Sequence, residues 1–161
     1  MPFPNYKIYL DACCLNRPFD DFRQTRIYLE AEAVMIILQE CQLGKWQLIN
    51  STALNAELNQ IRDLEKLKAI QKILEIATIQ VTHDNQIYQR AFQFQEMGFT
   101  AYDAFHLASA ESSKADIFLS TDDRLIKKAR RYTQKIQVAV DNPTQWLSQV
   151  MQKEQNNNDE N

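Results

Sequence analysis

Glycine and proline, the residues that mark tight turns, are scarce in this sequence. Among its 161 residues there are two glycines and four prolines, so we expect few tight turns and many regular elements. No apolar run approaches the length of about 18 residues that a membrane-spanning helix requires, and the sequence therefore predicts no contact with a membrane. The segment from Met1 to Lys7 has neither the apolar core nor the cleavage site of a signal peptide, so we expect a cytoplasmic location.

Cysteine is also rare, and its three positions agree with a cytoplasmic protein. Cys13 and Cys14 are adjacent and Cys41 is distant, which makes a poor disulfide framework. A zinc site is not expected, because there is no C-x-x-C motif and the chain has only two histidines. We interpret the cysteines as small buried residues.

The charge of the chain is close to balanced once its end is set aside. The net charge is −3, and the segment from Lys153 onward holds one basic and three acidic residues, which leaves 17 basic and 18 acidic residues in the body. A nearly neutral body exerts no global attraction on nucleic acid, so any such binding must come from a local basic patch.

Alternating strand and helix patterns run along almost the whole chain. Short apolar and β-branched runs predict strands at 7–10, 46–49, 78–82, 117–120 and 136–140. Helical spacing predicts helices at 25–43, around 54–61, and at 64–76, 83–97, 101–113, 122–132 and 143–151. Gly44 and Gly98 are expected to end the helices that precede them, and the segment 13–21 is expected to be a loop.

This alternation predicts an α/β fold. We expect a single domain of three layers, α/β/α, with a mostly parallel sheet of about five strands. The domain is assigned to residues 6–151. The polar, asparagine-rich tail 152–161 is expected to be disordered.

Four acidic residues lie where strands end or helices begin: Asp11, Glu57, Asp103 and Asp122. In an open α/β sheet the carboxyl ends of the strands face one crevice, in which ligands bind. Carboxylates that converge there repel one another unless a cation lies between them, and hard oxygen ligands favour Mg²⁺ or Mn²⁺. The pattern therefore indicates phosphate chemistry.

Each acid also has a purely structural explanation. Asp11 and Asp122 could cap the elements that follow them, and Asp103 lies three residues after Thr100, as in a capping box. Glu57 could be a charge on a helix surface. The apolar neighbours of Asp11, Asp103 and Asp122 favour the site, because a carboxylate among apolar residues is costly unless it is paired or bound to a metal.

Three blocks of this sequence resemble the signature blocks of PIN-domain nucleases of the VapC-like type. They are Ile8-Tyr9-Leu10-Asp11, the D-A-x-H-L-A-x-A block at 103–110, and Phe118-Leu119-Ser120-Thr121-Asp122. The resemblance covers about residues 6 to 150 and implies a metal-dependent endoribonuclease with a PIN-like fold. It implies that Asp11, Glu57, Asp103 and Asp122 are catalytic and that the three aspartates bind Mg²⁺ or Mn²⁺. The spacing favours Asp122 over Asp123, and Glu57 is matched by its position on the helix after the second strand.

The resemblance also implies partners, namely RNA, a small antitoxin protein and a second copy of the chain. Substrate contacts are assigned to Ser120, Arg17, Arg124 and Lys127, since cationic side chains bind phosphates. A solvated basic helix face is the competing interpretation of the helix that carries Arg124 and Lys127.

Two further alternatives stay open. His106 could act as a general base, but a hydrogen-bonded core histidine is the favoured interpretation. The whole chain could also be a non-catalytic binding module with the same fold.

Overall fold

The computed structural model describes residues 5–160, so Met1–Pro4 of the amino-terminal segment and Asn161 of the tail lie outside the described residues. In this part of the chain five strands form one parallel sheet in the order β3-β2-β1-β4-β5. The strands are β1 (Lys7–Leu10), β2 (Gln47–Ser51), β3 (Ile79–Val81), β4 (Ile117–Leu119) and β5 (Val140–Asp141).

Helices connect these strands and cover both faces of the sheet, which confirms the predicted three-layer α/β/α fold. They are α1 (Ala12–Asn16), α2 (Thr25–Gln42), α3 (Thr52–Leu58), α4 (Leu64–Leu74), α5 (Asn85–Glu96), α6 (Ala101–Ser112), α7 (Asp123–Arg131) and α8 (Pro143–Asp159). Helix α2 packs against α8, and α5 packs against α6. Within residues 5–160 no helix has the length and apolar character needed to cross a membrane.

The predicted helix ends at the two glycines are confirmed. Gly44 (φ +81°) follows α2 and Gly98 (φ +101°) follows α5, both in the left-handed region that side chains with a Cβ rarely adopt. The amide of Gly44 donates to the carbonyl of Cys41 at 3.1 Å, which satisfies a carbonyl in the last turn of α2.

The predicted loop at 13–21 is wrong for most of its length. Helix α1 begins directly after Asp11, and a 3₁₀ turn, Arg17–Phe19, follows it. The side chain of Asp11 accepts from the amide of Cys14 and so caps the helix. Pro18 lies in the first turn of the 3₁₀ segment, where its missing N–H is tolerated. The segment that was predicted to be a loop is therefore mostly a short capped helix followed by a 3₁₀ turn.

The fifth strand is shorter and later than predicted. Ile136 and Val138 are buried, and their alternate spacing resembles a strand, but sheet pairing begins only at Val140. Residues 136–139 form neither a helix nor a strand, and the burial of alternate side chains in this irregular segment gives the same apolar pattern as a strand.

The predicted end of the last helix near residue 151 is also wrong, because α8 continues through the polar tail to Asp159. After Pro143 this segment contains neither glycine nor proline that could end the helix. Glu154 also forms a salt bridge with Lys45, with 3.0 Å between Oε1 and Nζ. The polar composition had predicted disorder, whereas most of this tail is helical.

Candidate active site

The acidic residues lie at the point of the sheet where the chain reverses its direction of strand addition. From β1 the chain continues to β2 and β3 on one side, and it later adds β4 and β5 on the other side. The amide of Asp11 donates to the carbonyl of Leu119 at 3.1 Å, so the carboxyl ends of β1 and β4 are directly adjacent. Open α/β sheets bind their ligands at such a switch point.

Asp11 is buried there, with 3% of its surface exposed. Its Oδ1 accepts from the amide of Cys14 at 2.9 Å. Burial raises the pKa of Asp11 from 3.8 to about 6, while hydrogen bonds from Ser120 and Cys14 oppose the rise. The negative charge of Asp103 raises this pKa further. Asp11 therefore lies in a site that lacks enough positive charge for its ionised form.

Ser120 links Asp11 to Asp122. Its buried hydroxyl donates to Asp11, and its Oγ accepts from the amide of Asp122 at 3.0 Å. The carboxylate of Asp122 caps α7, accepting from the amides of Arg124 at 2.9 Å and Leu125 at 3.4 Å. Ser120 thus contacts two of the predicted metal ligands, and Asp122 is both a helix cap and part of the acidic group.

Asp123 belongs to a different set of contacts. Its two carboxylate oxygens accept from the guanidinium of Arg26 at 2.6 and 2.7 Å. This exposed pair lowers the pKa of Asp123. The two neighbouring aspartates therefore differ as the motif spacing indicated, although the catalytic role of Asp122 stays a prediction.

Asp103 lies in the first turn of α6, where its amide donates to Oγ1 of the cap residue Thr100 at 3.2 Å. Desolvation raises the pKa of Asp103, and the hydrogen bond with the Thr100 side chain opposes the rise. The negative charges of Asp122 and Glu57 raise it further. Asp103 thus interacts electrostatically with both of these acids and with Asp11, so the fold brings all four predicted acids into one region.

His106 is fully buried and hydrogen-bonded, in agreement with its interpretation as a core histidine. Its Nδ1 lies 2.7 Å from the hydroxyl oxygen of Tyr9. Its Nε2 faces Oε2 of Glu57 at 3.4 Å. A histidine of the core is therefore also a neighbour of one of the four acids.

Two residues of this region were not assigned to the site from the sequence. Cys13 is exposed, so the prediction of buried cysteines is wrong for this residue and confirmed for Cys14 and Cys41. Partial desolvation raises the pKa of the Cys13 thiol, and the charges of Asp11, Glu57, Asp122 and Asp103 raise it as well. Tyr9 lies in β1, and its hydroxyl contacts both Ser51 and His106 at 2.7 Å. A tyrosine inside a buried strand needs a hydrogen-bond partner for its hydroxyl, and that need was the signal in the sequence.

The predicted substrate contacts differ in their availability. The guanidinium of Arg17 forms ion pairs with Asp20 at 2.8 Å and with the buried Glu30 at 3.0 Å. Arg124 and Lys127 lie exposed on α7. Contact of these side chains with substrate stays a prediction.

The acidic group has donor atoms of the kind that bind a divalent cation, but their geometry in this structure is not that of a metal site. Within residues 5–160 no group of three or more His, Cys, Asp or Glu is arranged to hold a metal ion. In the same residues no Lys or Arg forms a salt bridge with Asp11, Asp103 or Asp122. Carboxylate oxygens without cationic partners are the donors that Mg²⁺ and Mn²⁺ prefer. The residues therefore fit such an ion in chemistry, and its binding requires the side chains to adjust.

The parallel five-stranded sheet and its helices form a PIN-like fold, as the sequence blocks predicted. The chain is similar to the crystal structure of PAE2754 from Pyrobaculum aerophilum, with 17% identity, a TM-score of 0.55, and coverage of 91% of this chain and 96% of that one. It is also similar to VapBC-1 from nontypeable Haemophilus influenzae, with 15% identity, a TM-score of 0.51, and coverage of 86% and 98%. No family model and no curated protein matches the sequence. At these identities the likeness shows the fold alone.

Proposed function

We propose that the protein is a metal-dependent endoribonuclease that hydrolyses phosphodiester bonds in RNA. The observation that carries the proposal is the convergence of Asp11, Glu57, Asp103 and Asp122 at the switch point of a PIN-like sheet. Burial and the charge of Asp103 raise the pKa of Asp11, and burial and the charges of Asp122 and Glu57 raise that of Asp103. Within residues 5–160 the three aspartates have no Lys or Arg salt bridge. Such a group destabilises the fold when empty, so a role in binding a cation explains why the acids lie together.

In this proposal each residue has a defined role. Asp11, Asp103 and Asp122 would hold one or two Mg²⁺ or Mn²⁺ ions, and a bound ion supplies Lewis acidity for hydrolysis of a phosphodiester. Glu57 would orient the attacking water. Ser120 would orient the Asp11 side chain through its hydroxyl and hold the backbone of Asp122 through the hydrogen bond from the Asp122 amide.

The substrate would be held by cationic side chains on α7. Arg124 and Lys127 follow Asp122 closely along the chain, and a guanidinium or ammonium group contacts phosphate without reading the base sequence. Replacing both residues by alanine is expected to raise KM for RNA and to leave kcat nearly unchanged. Arg17 stays a weaker candidate, because its guanidinium would have to leave Asp20 and Glu30.

The test is cleavage of end-labelled RNA in Mg²⁺, in Mn²⁺ and in EDTA by the wild type and by three variants, Asp11→Asn, Asp103→Asn and Asp122→Asn. Asparagine keeps a side-chain oxygen for the helix caps and removes the charge. Asp63→Asn is the matched control, because Asp63 is an exposed cap of α4. Each of the three variants is expected to lose about 100-fold or more in rate, since metal catalysis contributes several kcal/mol.

Two outcomes would overturn the proposal. Cleavage that continues in EDTA or in the folded aspartate variants would exclude metal-dependent hydrolysis by these acids. A folded wild type that neither cleaves RNA nor binds Mn²⁺ would favour the non-catalytic RNA- or protein-binding module.

We extend the proposal to a role as the toxin of a type II toxin–antitoxin pair, acting in the cytoplasm as a homodimer with a small antitoxin protein. The VapC-like sequence blocks and the similarity to VapBC-1 support this extension. Expression of the wild type alone is expected to arrest growth, and Asp11→Asn is expected to abolish the arrest. Growth that is equal in both strains would contradict the toxin role and would leave the nuclease assay to be decided separately.

A further inference from the structure

A series of hydrogen bonds runs through the core beneath the acids. The Oγ of Ser51 accepts from the amide of Leu54 at 3.1 Å and lies 2.7 Å from the hydroxyl oxygen of Tyr9. That oxygen lies 2.7 Å from Nδ1 of His106, whose Nε2 lies 3.4 Å from Oε2 of Glu57. Ser51, Tyr9 and His106 are each at most 1% exposed, so water cannot readily substitute for these partners.

Counting donors and acceptors gives this series one direction. An ionised Glu57 only accepts, so Nε2 of His106 carries the proton that faces it and, in the neutral ring, Nδ1 is an acceptor. Tyr9 then donates to Nδ1 and accepts from the hydroxyl of Ser51, which in turn accepts from the amide of Leu54. If Tyr9 instead donated to Ser51, the hydroxyl proton of Ser51 would have no acceptor among the hydrogen bonds of residues 5–160.

This direction is supported by the state of Tyr9. Its hydroxyl is fully buried, and among the described residues its hydrogen-bond partners are the hydroxyl of Ser51 and Nδ1 of His106. A phenol hydroxyl in this position must donate its proton to one of these two partners. A buried donor next to Nδ1 is satisfied only if that nitrogen is unprotonated.

The series connects the elements that carry three of the acids. Tyr9 lies on β1, two residues before Asp11, which follows the strand directly. His106 lies on α6, three residues after Asp103. Ser51 caps α3, which carries Glu57 near its carboxyl end. In the described part of the chain, His106 is the one hydrogen-bonding partner of the Glu57 side chain.

We propose that Ser51, Tyr9 and His106 form a directed hydrogen-bond chain that positions the carboxylate of Glu57 relative to Asp103 and Asp11. His106 is thus a positioning residue that acts through Glu57, and this assignment rests on the proposed function. The distance of 3.4 Å between Nε2 and Oε2 is at the long end of the hydrogen-bonding range, as is common for catalytic groups before substrate binds.

The first experiment measures the direction of the chain without any activity assay. The protein has two histidines, so ¹⁵N NMR of the histidine-labelled, metal-free protein gives two ring systems, which His83→Gln assigns. His106 is expected to carry its ring proton on Nε2, with Nδ1 unprotonated, because Nε2 faces Glu57 and Nδ1 accepts from Tyr9. Tyr9→Phe, which deletes only the hydroxyl, is expected to move the Nδ1 resonance downfield. An Nδ1–H form, a doubly protonated ring, or a spectrum that Tyr9→Phe leaves unchanged would overturn the chain.

The second experiment tests whether the chain acts through Glu57. His106→Leu is expected to lower kcat about 10–100-fold with little change in KM, as for other residues that orient catalytic groups. His106→Gln is expected to restore part of the rate, because its amide can donate to Glu57. Tyr6→Phe is the matched control for Tyr9→Phe, since Tyr6 packs against Trp46 and Trp146 and takes no part in the proposed hydrogen-bond chain.

A double-mutant cycle then separates positioning from general damage. In a Glu57→Gln background, His106→Leu is expected to cause no further loss of kcat, since it acts through the carboxylate that is already gone. Losses that multiply would overturn the positioning role while the nuclease function stands. If the wild type cleaves no RNA, the proposed function fails by itself, and the NMR spectra still decide whether the chain exists. If His106→Leu does not fold, Tyr9→Phe, which nearly keeps the core volume, replaces it in the double-mutant cycle with Glu57→Gln.

Discussion

The burial of Asp11 without a cation predicts that its charge destabilises the metal-free protein. Its pKa is about 6 in the folded state against an ordinary value of 3.8, so the folded state binds this proton more tightly than the unfolded state does. The stabilising contribution of the proton is therefore fully present below about pH 4 and is lost as the pH rises through about 6. The difference in pKa corresponds to about 3 kcal/mol above that range.

Asp11→Asn should remove this dependence on pH. Asparagine keeps an oxygen that accepts from the Cys14 amide and from the Ser120 hydroxyl, but it carries no charge. In EDTA the variant is expected to match the wild type near pH 4 and to be more stable by up to about 3 kcal/mol near pH 7.5. For a chain of this length that difference is a rise in Tm of about 6–12 °C.

The assay is thermal and urea unfolding followed by circular dichroism across this pH range. Asp123→Asn is the matched control, because Asp123 is exposed and paired with Arg26, and it should give a small loss of stability instead of a gain. Added Mn²⁺ should stabilise the wild type more than Asp11→Asn, since only binding to the folded state shifts the equilibrium. A variant that is no more stable than the wild type near pH 7.5 would refute the argument that unpaired charge at Asp11 is costly.

Three further predictions concern the surrounding contacts. Asp103→Asn should also raise the Tm of the metal-free protein at neutral pH, because its pKa is raised by desolvation; a lower Tm would indicate that its charge serves only the first turn of α6. Ser120→Ala should lower the free energy of unfolding by about 1–3 kcal/mol, measured in urea, because the hydrogen bond to Asp11 is lost in a buried site, and Ser120→Thr should recover part of it. Arg17→Leu should destabilise the protein by about 1–3 kcal/mol by removing one cationic partner of the buried Glu30, so unchanged stability with weaker RNA binding would instead support a phosphate contact for Arg17.

Local patterns predicted most of the regular elements. The first strand and the helix beginning at residue 101 start where the sequence indicated, as do the helices at 25 and 64. Gly44, Thr100 and Asn142 act at helix ends as their residue types predict. These predictions depend on neighbours within a few residues along the chain, which the sequence displays directly.

The errors occurred where local patterns are ambiguous. The buried residues Ile136 and Val138 lie in an irregular segment before the fifth strand, and the polar residues after Met151 continue a helix. The predicted loop at 13–21 is mostly the helix that Asp11 caps and the 3₁₀ turn that follows it. The length of the last helix, for example, is supported by a contact with another part of the chain, the pairing of Glu154 with Lys45.

The sequence by itself determined that this protein alternates strands and helices and that acids follow the first and fourth strands. Only the tertiary structure decided that β1 pairs with β4, which places Asp11 beside Ser120 and Asp122. It alone also joined Tyr9 to His106, which are 97 residues apart in the chain. The physical reason is that helix periodicity and capping are local, whereas strand order and buried hydrogen bonds are fixed by long-range packing, and the candidate site is formed by contacts of the second kind.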